Sequence, residues 1–370
     1  MIKSILNALR PEDIEFLVHN FQYAKDKRYA FGRLFPLREN ATLTWHVSEG
    51  SVNDDTAADI VSRGASIDIH ERPGVSRISG DIPKIAKAKI MDENDYYELK
   101  ALLHQYQGNT DAIDFINLWA NDYQSVYNGV MARLEWIAMQ SISLGKLSAT
   151  DMNNNGIVTE SDADYQLDDD QLLGADTAYG TSGTSGHPLT VDFPAAIAAA
   201  EARGADIGVA RMNRATWAKF IKQQEVIDMC APYLLKLAQK PTVPTLSMVN
   251  ELLASDPETY NGLRIEVIPS RIKIRKRDAS RVTVNSFADN IIGFYPDGDL
   301  GRTLWVRPVE MDAADAAIKT MRELMMFQRF ATTDPMVEKT NGIANAMPVW
   351  KQAPNSILMD IKSTSWNAGA

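Results

Sequence analysis

The clearest pattern in the chain is a stripe of apolar residues at helical spacing between residues 110 and 145. Asn109 or Thr110 can cap a helix here, and Asp111 and Asp114 suit its first turn. Apolar side chains recur every three or four positions, as on one face of an α-helix: Ile116, Ala120, Tyr123, Tyr127, Val130, Leu134, Ile137 and Ile142. The pattern predicts one long helix that serves as a structural spine.

Residues 46–95 differ from the rest because they contain no aromatic residue. Short alternating runs such as Ile67-Asp-Ile69 are separated by the turn signals Arg63-Gly64 and Pro73-Gly74. The pattern predicts a long two-stranded excursion without a core of its own. Because an isolated hairpin is only marginally stable in water, we expect the segment to lie on a partner. A plain surface loop is the alternative.

Strands and short helices alternate in the remainder, which predicts an α+β protein. Residues 148–193 are polar, and the Gly-Ser-Thr run at 180–186 is typical of a flexible linker. The predicted helices are 195–202, 215–224, 231–239 and 246–254. The predicted strands are 41–47, 205–210, 263–268, 272–277, 291–295, 303–306, 324–332, 337–347 and 357–361.

Charge and composition narrow the classes of function. The 370 residues include 38 Lys and Arg against 48 Asp and Glu, a formal net charge of −10. An acidic chain does not hold DNA by counterion release, which needs a basic face. The N-terminus lacks the pattern of a signal peptide, and no run of about 18 apolar residues predicts a membrane span. We therefore expect no membrane partner and a protein made in a cytoplasm.

A possible calcium loop begins at Asp151. Oxygen-bearing residues occupy positions 1, 3 and 5 (Asp151, Asn153 and Asn155), and Gly156 occupies position 6. Position 12 is Asp162, where a bidentate glutamate is expected. A hairpin turn at Asn155-Gly156 explains the same residues and is the interpretation we favour. We expect no metal site here.

A basic strand is the other charged motif. In the segment 271–277, Arg271, Lys273, Arg275 and Arg277 alternate with other residues, so they share one strand face. Such a face can contact nucleic acid, can contact an acidic neighbour such as residues 168–170, or can protect a sheet edge.

Motifs for catalysis are absent from the sequence. The glycines at 180–186 lack the Gly-Lys-Ser/Thr of a P-loop, and there is no Gly-x-Ser-x-Gly, His-Glu-x-x-His or Cys-x-x-Cys. The single cysteine, Cys230, lies among apolar neighbours, which favours a buried and inert thiol. The histidines lack ligand spacing: His19, His46, His70, His104 and His187. We expect no catalytic residue, no cofactor and no metal.

The order of these parts resembles the major capsid protein E family of lambda-like tailed phages. The likeness rests on the arm Leu34-Phe35-Pro36 followed by Thr42-Leu-Thr44, the excursion around Ser62-Arg63-Gly64, and the spine helix. It also rests on three C-terminal motifs: Ala331-Thr-Thr-Asp-Pro335, Ala346-Met-Pro-Val349 and Pro354-Asn-Ser-Ile-Leu-Met359. Each motif is short, so their order is more specific than any one of them.

The resemblance implies the tailed-phage and herpesvirus capsid fold, the Johnson fold, with a spine helix, an extended β-hairpin loop, and peripheral and axial domains. Its parts would be an N-terminal arm at 1–40, the extended loop at 41–92, the peripheral domain at 93–193 and 309–370, and the axial domain at 194–308. The resemblance implies hexamers and pentamers that form an icosahedral head around double-stranded DNA, which is held without sequence-specific contact. Portal, scaffold or decoration proteins are the further partners.

Seven residues are the candidate assembly contacts, four in the excursion and three in the basic strand: Arg63, Gly64, Ile67, Ile69, Arg271, Lys273 and Arg275. Two alternatives stay open at this point. One is an encapsulin-like nanocompartment shell protein, which uses the same fold. The other is a cytosolic hydrolase or calcium-binding protein.

Overall fold

A computed structural model describes residues 29–49, 76–98, 111–147, 163–180, 186–235, 243–276, 278–313 and 318–368. Side chains of the long helix are described from residue 122. The helices are Phe31–Leu34 (α1), Asp111–Leu144 (α2), Phe193–Ala202 (α3), Arg214–Phe220 (α4), Gln224–Leu235 (α5), Leu246–Ser255 (α6) and Pro257–Tyr260 (α7).

The strands are Leu37–Glu39 (β1), Thr44–Glu49 (β2), Ser76–Asp81 (β3), Lys84–Met91 (β4), Lys146–Leu147 (β5), Ala163–Asp164 (β6), Leu172–Gly174 (β7), Val209–Asn213 (β8), Arg264–Ile268 (β9), Arg271–Arg275 (β10), Arg281–Asn285 (β11), Ile291–Tyr295 (β12), Gly301–Val306 (β13), Ile318–Arg322 (β14), Met325–Thr333 (β15), Met336–Trp350 (β16) and Ile357–Asp360 (β17). The α+β class predicted from the sequence is confirmed.

The first core lies between α2 and a six-stranded sheet. The order in this sheet is β1-β13-β16-β15-β14, and β4 also pairs with β16. The long strand β16 is the centre, because β15 pairs along its first part while β4 and β13 pair with successive halves of it. Helix α2 packs on β16 and β4, and Val126, Val130 and Leu134 on it are fully buried.

The predicted spine helix is confirmed, but one apolar stripe describes only part of it. From Leu134 to Ser143 almost every side chain is buried, including the charged Glu135. The reason is that other segments cover the outer face of this half. The Phe31 backbone N–H donates to Glu135 Oε2 at 2.9 Å, and Tyr295 Oη donates to the Ile142 carbonyl at 2.6 Å.

The second core lies under a five-stranded sheet of order β7-β17-β12-β8-β9. Strands β8 and β9 are parallel, β7 and β17 are parallel, and β12 runs antiparallel to β8 and β17. Apolar side chains of α3, α4, α5 and α6 pack into this core, which contains Phe193, Phe220 and Val249. Strand β8 begins at Val209, four residues later than the predicted 205–210 strand, and α5 begins at Gln224, seven residues earlier than the predicted 231–239 helix.

The strands are not divided between the two large sheets at the domain boundaries expected from the sequence. Strand β13 lies within the segment 194–308 but pairs with β16 of the first sheet. Strand β17 lies within 309–370 but pairs with β12 and β7 of the second sheet. Both strands pair with partners that are distant in the sequence. The chain therefore crosses between the two sheets more often than the expected domain boundaries indicate.

The two-stranded excursion is described at its base. Strands β2 and β3 form an antiparallel pair from Thr44–Asp81 to Glu49–Ser76. The Trp45 ring, almost fully buried, stacks on Tyr165 with 6.1 Å between centroids, and Gly80 leaves room for it against β3. Strand β4 was expected within the loop at 41–92, but it belongs to the first sheet.

Candidate assembly surface

The basic strand forms half of a two-stranded ribbon. Strands β10 and β11 pair antiparallel, from Arg271–Asn285 to Arg275–Arg281. The predicted alternation is confirmed: Ile272 and Ile274 are buried, while Arg271, Lys273 and Arg275 are exposed. The strand ends at Arg275, and Arg277, the fourth cation of the predicted row, lies outside the described residues. Strand β10 is therefore part of a separate ribbon and not the edge of either large sheet.

Buried hydrogen bonds fix this ribbon to α2. Ser270 Oγ donates to Glu135 Oε1 at 2.7 Å, and Gln140 Nε2 donates to the Ser286 carbonyl at 2.7 Å. Burial raises the pKa of Glu135, since desolvation outweighs the hydrogen bonds that its carboxylate accepts. Both bonds lie at the base of the ribbon, next to the Arg271–Asn285 pair, so polar groups of the helix set the position of that base.

The described cations of the ribbon face solvent, and no carboxylate in the described ranges pairs with them. Arg271 Nε donates to Asn285 Oδ1 at 3.0 Å, and none of Arg271, Lys273, Arg275 and Arg281 pairs with a carboxylate in the described part of the chain. Arg203, by contrast, binds both Asp168 and Asp170. The acidic run at 168–170 is therefore partly neutralised within its own subunit, whereas the described part of the chain provides no carboxylate for the ribbon.

A cleft of about 570 Å³ opens beside the ribbon. Its walls include Val284, Phe287 and Ala288, and its polar groups include Gln140, Arg271 and the carboxylate of Asp289. An arginine beside half-buried apolar side chains suits an aromatic ring with a carboxylate on a neighbouring residue. No pair of groups arranged for proton transfer or nucleophilic attack lines it.

The basic surface continues from the ribbon towards β4. Burial lowers the pKa of Lys87, and the nearby charges of Lys89 and Arg281 lower it further. Lys87 lies across α2, where its Nζ donates to the Ser125 carbonyl at 2.7 Å. A side chain at Gly129 would collide with Lys87, which explains a glycine in mid-helix.

Four of the seven candidate contacts, Arg63, Gly64, Ile67 and Ile69, lie outside the described residues, as does the possible calcium loop at 151–162. That loop connects β5 and β6, which form a short antiparallel pair. The structure thus brings together only Arg271, Lys273 and Arg275 of the predicted set.

Two buried charge networks were not predicted. Arg329 Nε and Glu338 Oε1 pair at 2.7 Å between β15 and β16, with side chains 1% and 0% exposed. Arg211 in β8 pairs with Glu266 at 2.9 Å, and Glu266 also bonds Arg33 of the arm. In both cases the sequence signal for the ion pair is an arginine inside an apolar run. An arginine in such a run is expected to be buried, and a buried charge requires a partner.

Chemically reactive features are few in the described ranges. Cys230 is buried as predicted, and burial raises the pKa of its thiol to about 11. No three His, Cys, Asp or Glu side chains among the described residues are grouped so that they could hold a metal ion. Within the same ranges, no helix has the length and apolar character needed to cross a membrane.

Comparison with known proteins agrees with the fold. The family model for phage major capsid protein E matches residues 29–358. A solved structure assigned as the capsid protein of a prophage of E. coli CFT073 is 12% identical, with a TM-score of 0.59 over 95% of this chain and 99% of that one. A phage-related protein from Bordetella bronchiseptica RB50 is 11% identical, with a TM-score of 0.54 over 96% and 97%. No curated protein sequence matches the chain.

Proposed function

The chain belongs to the phage major capsid protein E family, and we propose from this premise how it acts as the shell subunit of a phage head. It is a structural capsid protein of an icosahedral shell. Copies assemble into hexamers and pentamers that close around double-stranded DNA, and the assembled protein is part of the virion. The observation that carries this function is the family match over residues 29–358, and the shared fold supports it.

The subunit acts by binding copies of itself and not by catalysis. Obligate interfaces of this kind bury about 2,000–5,000 Å². The arm, the excursion and the basic ribbon are the segments proposed to make these contacts, through Arg63, Gly64, Ile67, Ile69, Arg271, Lys273 and Arg275. The family favours this role over a nanocompartment shell, a hydrolase or a calcium-binding protein.

The domain division follows the two cores more closely than the chain order. The peripheral domain comprises α2 and the six-stranded sheet, which includes β4 and β13. The axial domain comprises the five-stranded sheet and α3 to α6, and it includes β7 and β17. Assembly takes place in the host cytoplasm, with portal, scaffold or decoration proteins as partners.

Expression alone, or together with a scaffold protein, tests the function. We expect hexamers, pentamers or closed shells, visible in negative-stain electron microscopy and by light scattering. A protein that stays a monodisperse monomer in every condition, scaffold included, would contradict the capsid function.

A further inference from the structure

The second charged feature of the surface is an acidic turn, defined here as residues 92–98. It follows β4 directly, and residues 93–98 are helical. Its sequence, Asp-Glu-Asn-Asp-Tyr-Tyr-Glu, contains four carboxylates and no cation. The start of the helix is fixed by reciprocal bonds, because the Asp95 N–H donates to Asp92 Oδ1 at 2.9 Å and the Asp92 N–H donates to Asp95 Oδ2 at 3.2 Å.

This acidic turn is fully presented to solvent. All four carboxylate side chains are exposed, and none forms an ion pair with a cation in the ranges that the structure covers. The Tyr97 side chain is 60% exposed, and it is the one aromatic residue among the large apolar side chains that are exposed in the described ranges. An aromatic ring in this position is typical of an interface anchor.

The ribbon has the opposite charge. Residues 271–285 contain six cationic side chains and one carboxylate, a net charge of +5, in a chain whose net charge is −10. Two such chains repel each other overall, so contacts between copies require patches of opposite sign. The acidic turn, with a charge of −4, and the ribbon supply such a pair, and among the described residues neither has an ion-pair partner in its own subunit.

We propose that the acidic turn of one subunit docks on the β10–β11 ribbon of a second copy, with the Tyr97 ring in the cleft beside Arg271. This inference rests on the proposed function. Alternate side chains on β10 are about 6.6 Å apart, and side chains one helical turn apart are about 5–6 Å apart. The spacing of charges on the turn is therefore of the same order as that on the ribbon, and Glu93, Asp95 and Glu98 are the carboxylates available to meet its cations.

The contact is heterologous, since the two patches are different parts of the subunit. Heterologous contacts form rings when their rotation closes, as a capsomer requires. A nucleic acid is the competing ligand for the cations. Phosphates would satisfy Lys273 and Arg275, but they would leave the half-buried side chains of Val284 and Ala288 in the cleft uncovered, so the observations favour a second copy.

Charge reversal tests the docking. The ribbon variant is Lys273→Glu with Arg275→Glu, and the turn variant is Glu93→Lys with Glu98→Lys. Each alone should fold, as seen by circular dichroism and melting, yet give shells at about a tenth of the wild-type yield or less, the loss expected from about 1.4 kcal/mol per contact. The chain with all four changes should recover shells. Lys351→Glu with Lys362→Glu, exposed residues elsewhere with the same charge change, should assemble normally.

Distinct outcomes would overturn the docking and the function. Normal shells from either variant, or failure of the four-change chain to recover, would overturn the docking while the capsid function stands. If the ribbon variant fails to fold, the yield of the turn variant decides. If the ribbon variant assembles normally but loses a retardation of double-stranded DNA that the wild type shows, the cations serve nucleic acid instead. Absence of shells from the wild-type chain overturns the proposed function itself.

Discussion

The Arg329–Glu338 pair offers a strict test of what stabilises the first core. Both side chains are essentially unexposed, and the Arg329 guanidinium lies 5.9 Å from the centre of the Tyr123 ring. Arg329→Met removes the cation and leaves the buried Glu338 carboxylate without this partner. Removing one partner of a buried ion pair costs about 3–5 kcal/mol, a large part of the stability of a typical domain.

The double variant separates the net contribution of the ion pair to the free energy of unfolding from the cost of removing only one of its two partners. Arg329→Met with Glu338→Leu replaces both charges by apolar groups of similar volume, which is often neutral or stabilising. We expect it to lie within about 1 kcal/mol of the wild type, so the coupling between the two sites should amount to several kcal/mol. The control is Arg302→Met. Its exposed pair with Asp299 should contribute at most about 1 kcal/mol.

Urea unfolding of unassembled subunits, followed by tryptophan fluorescence, measures these differences. Trp136 and Trp350 are buried in the first core and report its unfolding. The reasoning is refuted if Arg329→Met costs no more than Arg302→Met, or if the double variant is as unstable as the single one.

Two further predictions rest on the buried residues of α2, and two rest on the sequence of segments outside the described residues. Leu134→Asp places a charge on the buried face of α2 and should cost several kcal/mol, enough to abolish cooperative melting; a native melting curve would contradict this. Because burial raises the pKa of Glu135 in the folded state, the protonated side chain favours folding at low pH, and this contribution to stability should be lost as the pH rises through the raised pKa; Glu135→Gln should remove this trend in melting temperature. Arg63→Glu should leave folding unchanged but give few shells, as a lost contact of about 1–3 kcal/mol recurs throughout the shell; normal shells, or an unfolded subunit, would refute it. Calorimetric titration should show no calcium binding tighter than about 10⁻⁴ M at 151–162, and a micromolar site would overturn the turn assignment.

Local patterns were sufficient where one face of an element decides its structure. The helical spacing from Tyr123 to Ile142 predicted α2, and the alternation of Arg271, Lys273 and Arg275 predicted which side of β10 faces solvent. Strand β11 was missed, although Val282-Thr283-Val284 has the β-branched composition of a strand. That signal was present in the sequence.

Long-range contacts explain most of the remaining differences. Strand β8 was displaced in the prediction because Arg211 interrupts its apolar run, yet Glu266 on the neighbouring β9 allows Arg211 to be buried. The second covered face of α2 depends on Phe31, which is 104 residues from Glu135 in the chain. No local periodicity encodes such a contact, and the same holds for the membership of β17 in the second sheet.

The C-terminal half of α2 connects the candidate assembly surface to both cores. It binds the arm through Glu135, the ribbon through Glu135 and Gln140, and the second sheet through the Ile142 carbonyl. A partner bound at the ribbon therefore acts on groups that also position the arm and β12. Since a ligand that binds only the folded state stabilises it, each contact between copies at the ribbon should stabilise the helix that holds the two cores together. A surface built on a buried helix in this way keeps its shape before assembly, so binding does not incur the entropy cost of ordering a loop.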